Sequence, residues 1–367
     1  MKQHITLASL AQTLGLSRST VSEILSGNDR YAEETVRRVR ELAASLHYEP
    51  NRSAQATRRG RSNLIGVLHS GGPLQVANER AFHLGRAIAP TGYELLVGDW
   101  QWHTISSVLT LVRHMLASRV EGFIFSDAAT FNHADTEAIL ALINSANLPA
   151  VILSAPHRPN IPAINADFET GFYDLTRHLL ATGRRRLTLQ LATAVEQGWH
   201  TALRYRGFCR AIEEAGGTLH PPLPVGEYRS RWKKGRGIQG EILIAGRTRQ
   251  ATFFSPYGDA IAAYEHLFTH RFTTDGIVAS NDQWAAAIVN TAIRHGISIP
   301  ERFAVTGFDN SHLAMLSPVP ITSASQESEK TCELAVKTLL DRMRGDRQPA
   351  SDILIPCPLA LRASSAA

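Results

Sequence analysis

The sequence predicts an α/β protein with a small all-helical head on a larger body of parallel sheets flanked by helices. Three observations carry this. Within the first 50 residues, apolar side chains recur three times at helical spacing. From Leu64 onward, short apolar runs alternate with helical patterns, the signature of strand–helix–strand units. Basic charge is gathered at the amino-terminal end. At 367 residues the chain exceeds one ordinary core, and ~100–200 residues per domain suggests two or three folding units. With 44% hydrophobic and 19% charged residues it is neither disordered nor collagen-like.

The head comes first. Thr6 can cap a helix whose apolar face is Leu7, Leu10, Ala11 and Leu14. Gly15 supplies a turn. Ser17 can cap a second helix with Val21, Ile24 and Leu25 inward. A third is predicted from about Glu33 to Leu46, with Val36, Val39, Leu42, Ala43 and Leu46 inward. Two short helices about a glycine turn, with a supporting third, make a helix-turn-helix. The second helix then turns Arg18, Ser19, Ser22 and Glu23 outward. Arginine can donate to guanine O6/N7, serine serves several base edges, and a carboxylate can accept from cytosine N4. Glu23 is therefore expected to read a cytosine. Thr6, Thr20, Ser22 and Arg30 are placed to hold phosphates.

Charge supports this reading. The net charge is +5, from 38 basic and 33 acidic residues. Residues 1–62 hold ten basic and six acidic residues, leaving only +1 for the other 305. A basic head on a near-neutral body implies a polyanionic partner. The next stretch, YEPNRSAQATRRGRS, breaks at Pro50 and resumes as a short helix capped by Asn51. Its arginines, Arg58 among them, suit a linker that orders when phosphates neutralise it.

The body carries seven apolar runs: 64–68, 94–98, 122–126, 150–154, 187–192, 276–280 and 303–308. So many strands imply two sheets. In such folds ligands sit beyond the carboxyl ends of strands. That singles out His69, Ser70, Asp99, Asp127, Ser154, Asn281, Asp282 and Asp309.

The chain resembles the lactose/galactose-type bacterial repressor family. In the head the matching stretches are ITLASLAQTLGLSRSTVSEILSG and YEPNRSAQATRRGRSNLIGV. In the body they are INADFETGFYDLTRHLLATGRRR, LRYRGFCRAIEEAG, GIVASNDQWAA and IPERFAVTGFDNSHLA, then LAVKTLLDRMRGD, ILIP and LRASS. These motifs fall in family order over some 300 residues. The resemblance implies a two-lobed core like that of periplasmic sugar-binding proteins. It implies a homodimer on a palindromic operator and a small-molecule effector, a sugar or related metabolite. It places Arg18, Ser19 and Glu23 at base-reading positions and Asn51 and Ala54 in a minor-groove hinge helix. Effector contacts carried over by position are Ser70, Arg204, Asn281 and Asp309, and Ser154 joins them from its strand end. Each could instead be a domain-closing salt bridge or a cap. The implied domains are 1–49 (DNA-binding), 50–62 (hinge), 63–160 with 326–355 (first lobe) and 161–325 with 356–367 (second lobe).

Two positions depart from the family. Thr57 stands where a leucine usually wedges between bases. Glu23 stands where Arg or His is common. Residues 227–250, rich in Lys, Arg and Gly, read as an insertion near the pocket mouth, a solvated loop in preference to a contact for an acidic effector.

Other chemistries find little support. Gly235, Gly237 and Gly240 fit a dinucleotide fingerprint on paper, but residues 230–234 do not read as the strand it requires. His266 and His270 lack a third metal ligand. Trp100 and Trp102 could stack on a ligand or pack a core. No nucleophile motif appears, so an enzyme is not expected, and neither is a cofactor. Cys209, Cys332 and Cys357 are odd in number and far apart, which suits a reducing cytoplasm. No run spans a bilayer, and the amino terminus is a poor secretory signal. The ending ASSAA shows no heptads for a coiled-coil tetramer. A solute-binding module without DNA regulation is the alternative to a DNA-binding regulator.

Overall fold

The computed structural model describes residues 5–28, 30–48, 60–69, 75–99, 104–126, 133–191, 199–219, 223–224, 229–232, 238–244, 247–253, 268, 274–346 and 352–366. The chain divides into two compact units, Met1–Asn63 and Leu64–Ala367.

In the first unit, α1 (Leu7–Leu14) starts with a reciprocal cap. Thr6 Oγ1 accepts from the Ser9 amide (3.1 Å), and Ser9 Oγ accepts from the Thr6 amide (2.9 Å). Two otherwise orphaned amides are thus satisfied. Gly15 ends the helix at φ +66°, where a Cβ would strain the turn. Ser17 Oγ accepts from the Thr20 amide (3.0 Å) and opens α2 (Arg18–Leu25). α3 (Glu33–Ser45) closes the trihelical unit. Its core is Leu10, Ala11, Val21, Ile24, Val36, Val39 and Ala43. Two expectations are corrected. Leu46 lies just past the end of α3 and is 38% exposed. Ser22, expected to face outward, is buried, one turn from Leu25, which packs on the core of the head.

All seven apolar runs of the body are strands: β1 (Leu64–His69), β2 (Glu94–Asp99), β3 (Gly122–Phe125), β4 (Ala150–Leu153), β6 (Leu187–Leu191), β11 (Gly276–Ala279) and β12 (Ala304–Asp309). They are joined by β5 (Ala163–Ala166), β7 (Leu223–Pro224), β13 (Thr322–Ser325), β14 (Ile353–Ile355) and β15 (Leu359–Ala360). One six-stranded sheet has the order β14-β5-β4-β3-β1-β2 and is parallel throughout. The other has the order β15-β13-β12-β11-β6-β7 and is parallel except at β15. The first lobe buries one sheet face with Val108, Val112, Ile139 and Ile143, from α5 (Ile105–Ala117) and α6 (His133–Ser145). It buries the other with Leu84, Ile88, Val336 and Leu339, from α4 (Gln75–Ile88) and α10 (Ser328–Met343). The second lobe does the same with α7 (Phe168–Ala181) and α8 (Trp199–Glu214) on one face and α9 (Asp282–Arg294) on the other.

The chain passes between sheets after Ala166, Ser325 and Ile355. The boundary expected at 160 is therefore too early. β5 lies beyond it yet pairs with β4 and β14 and buries Ile164 in the first lobe. Residues 227–250 also differ from the expected loop. Strands β8 (Arg229–Trp232), β9 (Ile238–Ile244) and β10 (Arg247–Phe253) form an antiparallel sheet, with Ile238 opposite Phe253 and Arg229 opposite Glu241. A strand thus does precede Gly235, against expectation. After Gly237 the chain enters β9, a strand and not the helix a dinucleotide site needs.

Candidate functional sites: a helix-turn-helix face and a charged cleft

In the head, α2 presents its amino-terminal end. Arg18 and Ser19 are exposed and Thr20 is half-buried. Ser17 Oγ lies 2.7 Å from Ser19 Oγ and 2.8 Å from Thr20 Oγ1, so the three hydroxyls are pre-aligned around the cap. Glu23, expected at a base, is engaged within the head. Its carboxylate accepts from Arg30 Nη2, from the Tyr31 hydroxyl (2.9 Å) and from Asn28 Nδ2 (3.3 Å). The Arg30 guanidinium also lies 5.4 Å from the Tyr31 ring centroid. Tyr31 and Glu23 together raise the Arg30 pKa above its ordinary value. The carboxylate expected to accept from a cytosine thus forms an ion pair with Arg30. Asn51, Ala54, Thr57 and Arg58 lie outside the described residues.

In the body, charge converges where the two lobes meet. Gly207 lets α8 approach α7: a Cβ there would stand 2.1 Å from the Glu169 carbonyl oxygen. This close packing sets Arg204 over Phe168 (5.0 Å) and Phe172 (5.6 Å). Both rings stack on Phe308, at 5.3 and 5.0 Å. Arg204 Nε is buried without a hydrogen-bond partner among the described residues. Burial pushes the Arg204 pKa down to about 10, against the pull of Asp309. Four residues earlier on the same helix, His200 packs edge-on to Phe168 (5.1 Å). Burial, then Arg204 and Arg80, push its pKa down to about 3, although a hydrogen bond with the Ser154 backbone opposes them.

Asp309 ends β12 at φ +107°. Its Oδ1 accepts from Gln326 Nε2, and Gln326 Oε1 accepts in turn from Arg80 on α4, which is 3% exposed. A relay of three side chains therefore joins the second-lobe strand to the first-lobe helix. Burial and the nearby Asp282 raise the Asp309 pKa to about 8. Asp282 is itself raised to about 6 by burial. Its oxygens accept from the Ser311 amide (2.7 Å) and Ser323 Oγ (2.6 Å). Asp309 also borders a polar depression of about 590 Å³ shared with Glu79, His83, Asn310 and Glu327.

Of the expected effector residues, Arg204, Asp309 and Ser154 are drawn into this network. Ser154 is buried at φ +52° and its amide donates to Ile164 O (3.2 Å). Asn281 is the amino-terminal cap of α9, its Oδ1 accepting from the Trp284 amide (3.0 Å). Ser70, Asp127, Trp100, Trp102, His266 and His270 lie outside the described residues. His200, Arg80 and Gln326 were not anticipated. His200 could have been found from its spacing of four before Arg204; Arg80 and Gln326 carry no local signal.

Residues 176–365 match the model of the periplasmic binding protein-like domain. The chain belongs to that family. Curated relatives include the HTH-type transcriptional repressor PurR of Glaesserella parasuis serovar 5, 24% identical over 96% of this chain and 94% of the relative. Catabolite control protein A of Priestia megaterium is 22% identical over 99% of both chains. The repressor CytR of Escherichia coli is 22% identical over 99% of this chain and 96% of its own. These periplasmic binding protein-like relatives are regulators of the lactose/galactose type that the sequence motifs resemble. Among solved structures, the Lac repressor dimer bound to operator and the anti-inducer ONPF superposes with a TM-score of 0.80, at 21% identity and full coverage of both chains. The transcriptional regulator CelR in complex with cellobiose gives 0.65, at 20% identity over 98% of this chain and 99% of the other. The fold is thus that of the family's repressors, helical head included. Among the described residues no helix is long and apolar enough to cross a membrane.

Proposed function

We propose that this protein is a transcription regulator, acting as a repressor, whose affinity for operator DNA is set by a small-molecule effector. The observation that carries the reading is the capped α2, with Arg18 and Ser19 exposed at its start behind a capped α1. Arg18 and Ser19 read base edges, and Thr6 and Thr20 hold phosphates. Glu23 serves through the arginine it fixes. Asn51, Ala54, Thr57 and Arg58 belong to a hinge over 50–62. The protein binds a palindrome as a homodimer, because one such helix reads only a few base pairs. It works in the cytoplasm and performs no catalysis.

In the body, Arg204, Asp309, Asn281, Ser154 and Ser70 contact the effector between the lobes. The first lobe runs from 63 to Ala166 and over 326–355; the second takes the rest. The Arg80–Gln326–Asp309 relay supports transmission between lobes, since a ligand that takes over Asp309 releases Gln326 from it. Effector occupancy then alters operator affinity, and the operator alters effector affinity by the same factor. The test is selection of binding sites from random duplex DNA by full-length protein. A palindromic site whose half-site preference shifts with Arg18→Ala supports the reading. Recovery of no preferred sequence overturns it. A solute-binding module without DNA regulation leaves the capped helix pair without a role, and no observation favours it.

A further inference from the structure

The body cleft brings two enclosed guanidiniums together from opposite lobes. Arg204 is backed by Phe168 and Phe172, and its buried Nε has no acceptor among the described residues. Arg80 is 3% exposed and reaches the same place from the other lobe through Gln326. Arg80 is tied to Asp309 through Gln326, Arg204 shares the Phe168 ring with His200, and both cations act on His200 and on Asp309. Of the acids nearby, Glu79 and Glu327 line the depression that Asp309 borders, and Asp282 already serves the Ser311 amide and Ser323 Oγ. Asp309 is raised to about 8 by burial and Asp282, so it is mostly protonated at neutral pH. His200, lowered to about 3, adds no charge. Among Arg204, Arg80, His200, Asp309 and Asp282 the balance is positive, and an anion gains most where water is excluded from around the cations.

We propose that the effector carries an oxyanion, a carboxylate or a phosphate, held jointly by Arg204 from the second lobe and Arg80 from the first. The proposal rests on reading this cleft as the effector site. Arginine forks match the two oxygens of such a group, and two of them from opposite lobes make closure depend on the charge. Protonated Asp309 donates to a third acceptor on the ligand, and Asn281 Nδ2 donates beside it. A neutral sugar offers no charge to either guanidinium and so binds less tightly.

The test uses full-length protein and matched probes in low-chloride buffer. D-Gluconate and D-glucose 6-phosphate are each compared with D-glucose, and inorganic phosphate stands alone as a minimal probe, by calorimetry and thermal unfolding. At least one acid should bind tenfold or more tighter than glucose. Gluconate alone points to a carboxylate ligand and glucose 6-phosphate alone to a phosphate. Arg80→Leu should weaken the acid tenfold or more, while Arg80→Lys retains part of the preference. If Arg80→Leu fails to fold, the acid-to-neutral ratio of the native protein decides. Equal binding of glucose and the acids, no binding of any acid at tens of millimolar, or an Arg80→Leu affinity equal to native overturns the proposal. Operator retention is measured in parallel. Acid binding with no operator binding would refute the DNA reading and leave this one standing.

Discussion

The head and the body put their charge on opposite sides of their cores. In the head, Leu10, Val21, Ile24 and Val39 are fully buried, while Arg18, Arg30, Arg37, Arg38 and Arg40 are all exposed. In the second lobe, Asp282 is fully buried and Arg204 lies on phenyl rings with its Nε enclosed. The contrast teaches what each unit suits. Exposed arginines keep their hydration until a phosphate replaces it, so their contacts are tunable by salt and tolerant of shape. Enclosed charges are weakly screened and respond to whatever fills the space beside them.

The contrast can be broken most sharply in the body. Phe308 is fully buried and stacks on both rings that support Arg204. Phe308→Ala should cost about 3–5 kcal/mol, read as earlier unfolding of the body by calorimetry or urea, with the helical signal of the head retained. A loss below about 1 kcal/mol would mean the aromatic stack does not organise the second lobe. In the head, Arg18→Ala should leave unfolding unchanged and cost about 1–3 kcal/mol of operator binding. An unaltered operator affinity would remove Arg18 from the interface.

The buried acids give the body a pH signature. Asp309 and Asp282 have folded pKa values near 8 and 6, above those of an unfolded chain. The folded body therefore binds more protons, and stability should rise as pH falls from 8 to 6.5, by about 1 kcal/mol. Below 6.5 the depressed His200 works the other way, because the unfolded chain then takes up the extra proton. Asp309→Asn should flatten the slope between 6.5 and 8; an unchanged slope would show that Asp309 is ordinarily ionised. In the head, Ser17→Ala removes the α2 cap and should lower head stability by about 1 kcal/mol, measured by amide exchange.

The smallest effect concerns Glu23. Glu23→Ala should weaken operator binding in the native background and have no effect beside Arg30→Ala, with base preference unchanged. An equal loss in both backgrounds would give Glu23 its own base contact.

Much of this arrangement was legible from residues. The seven apolar strands, the caps at Thr6 and Ser17 and the glycine turn depend on local chemistry, and each appears where local chemistry puts it. β5 and β13 escaped because AINA and TSAS are short, with polar Asn, Thr and Ser breaking the apolar pattern; they are strands because neighbours pair with them. Residues 227–250 read as loop because Lys, Arg and Gly dominate the start, although pairing across β8, β9 and β10 overrides composition. In the sites, Arg204 and Asp309 announced themselves through motif and strand end. The ion pair of Glu23 with Arg30 spans seven positions and a turn, and the Arg80–Gln326 contact spans 246. No local pattern encodes contacts that only folding creates.

Everything proposed for the head depends on its exposed arginines holding duplex DNA. That contact is tested most directly by titrating full-length protein onto its selected duplex at increasing salt. Tight binding is expected at low ionic strength, with the logarithm of affinity falling linearly against the logarithm of salt concentration. Absence of binding to any duplex at low ionic strength, or an affinity indifferent to salt, would contradict it.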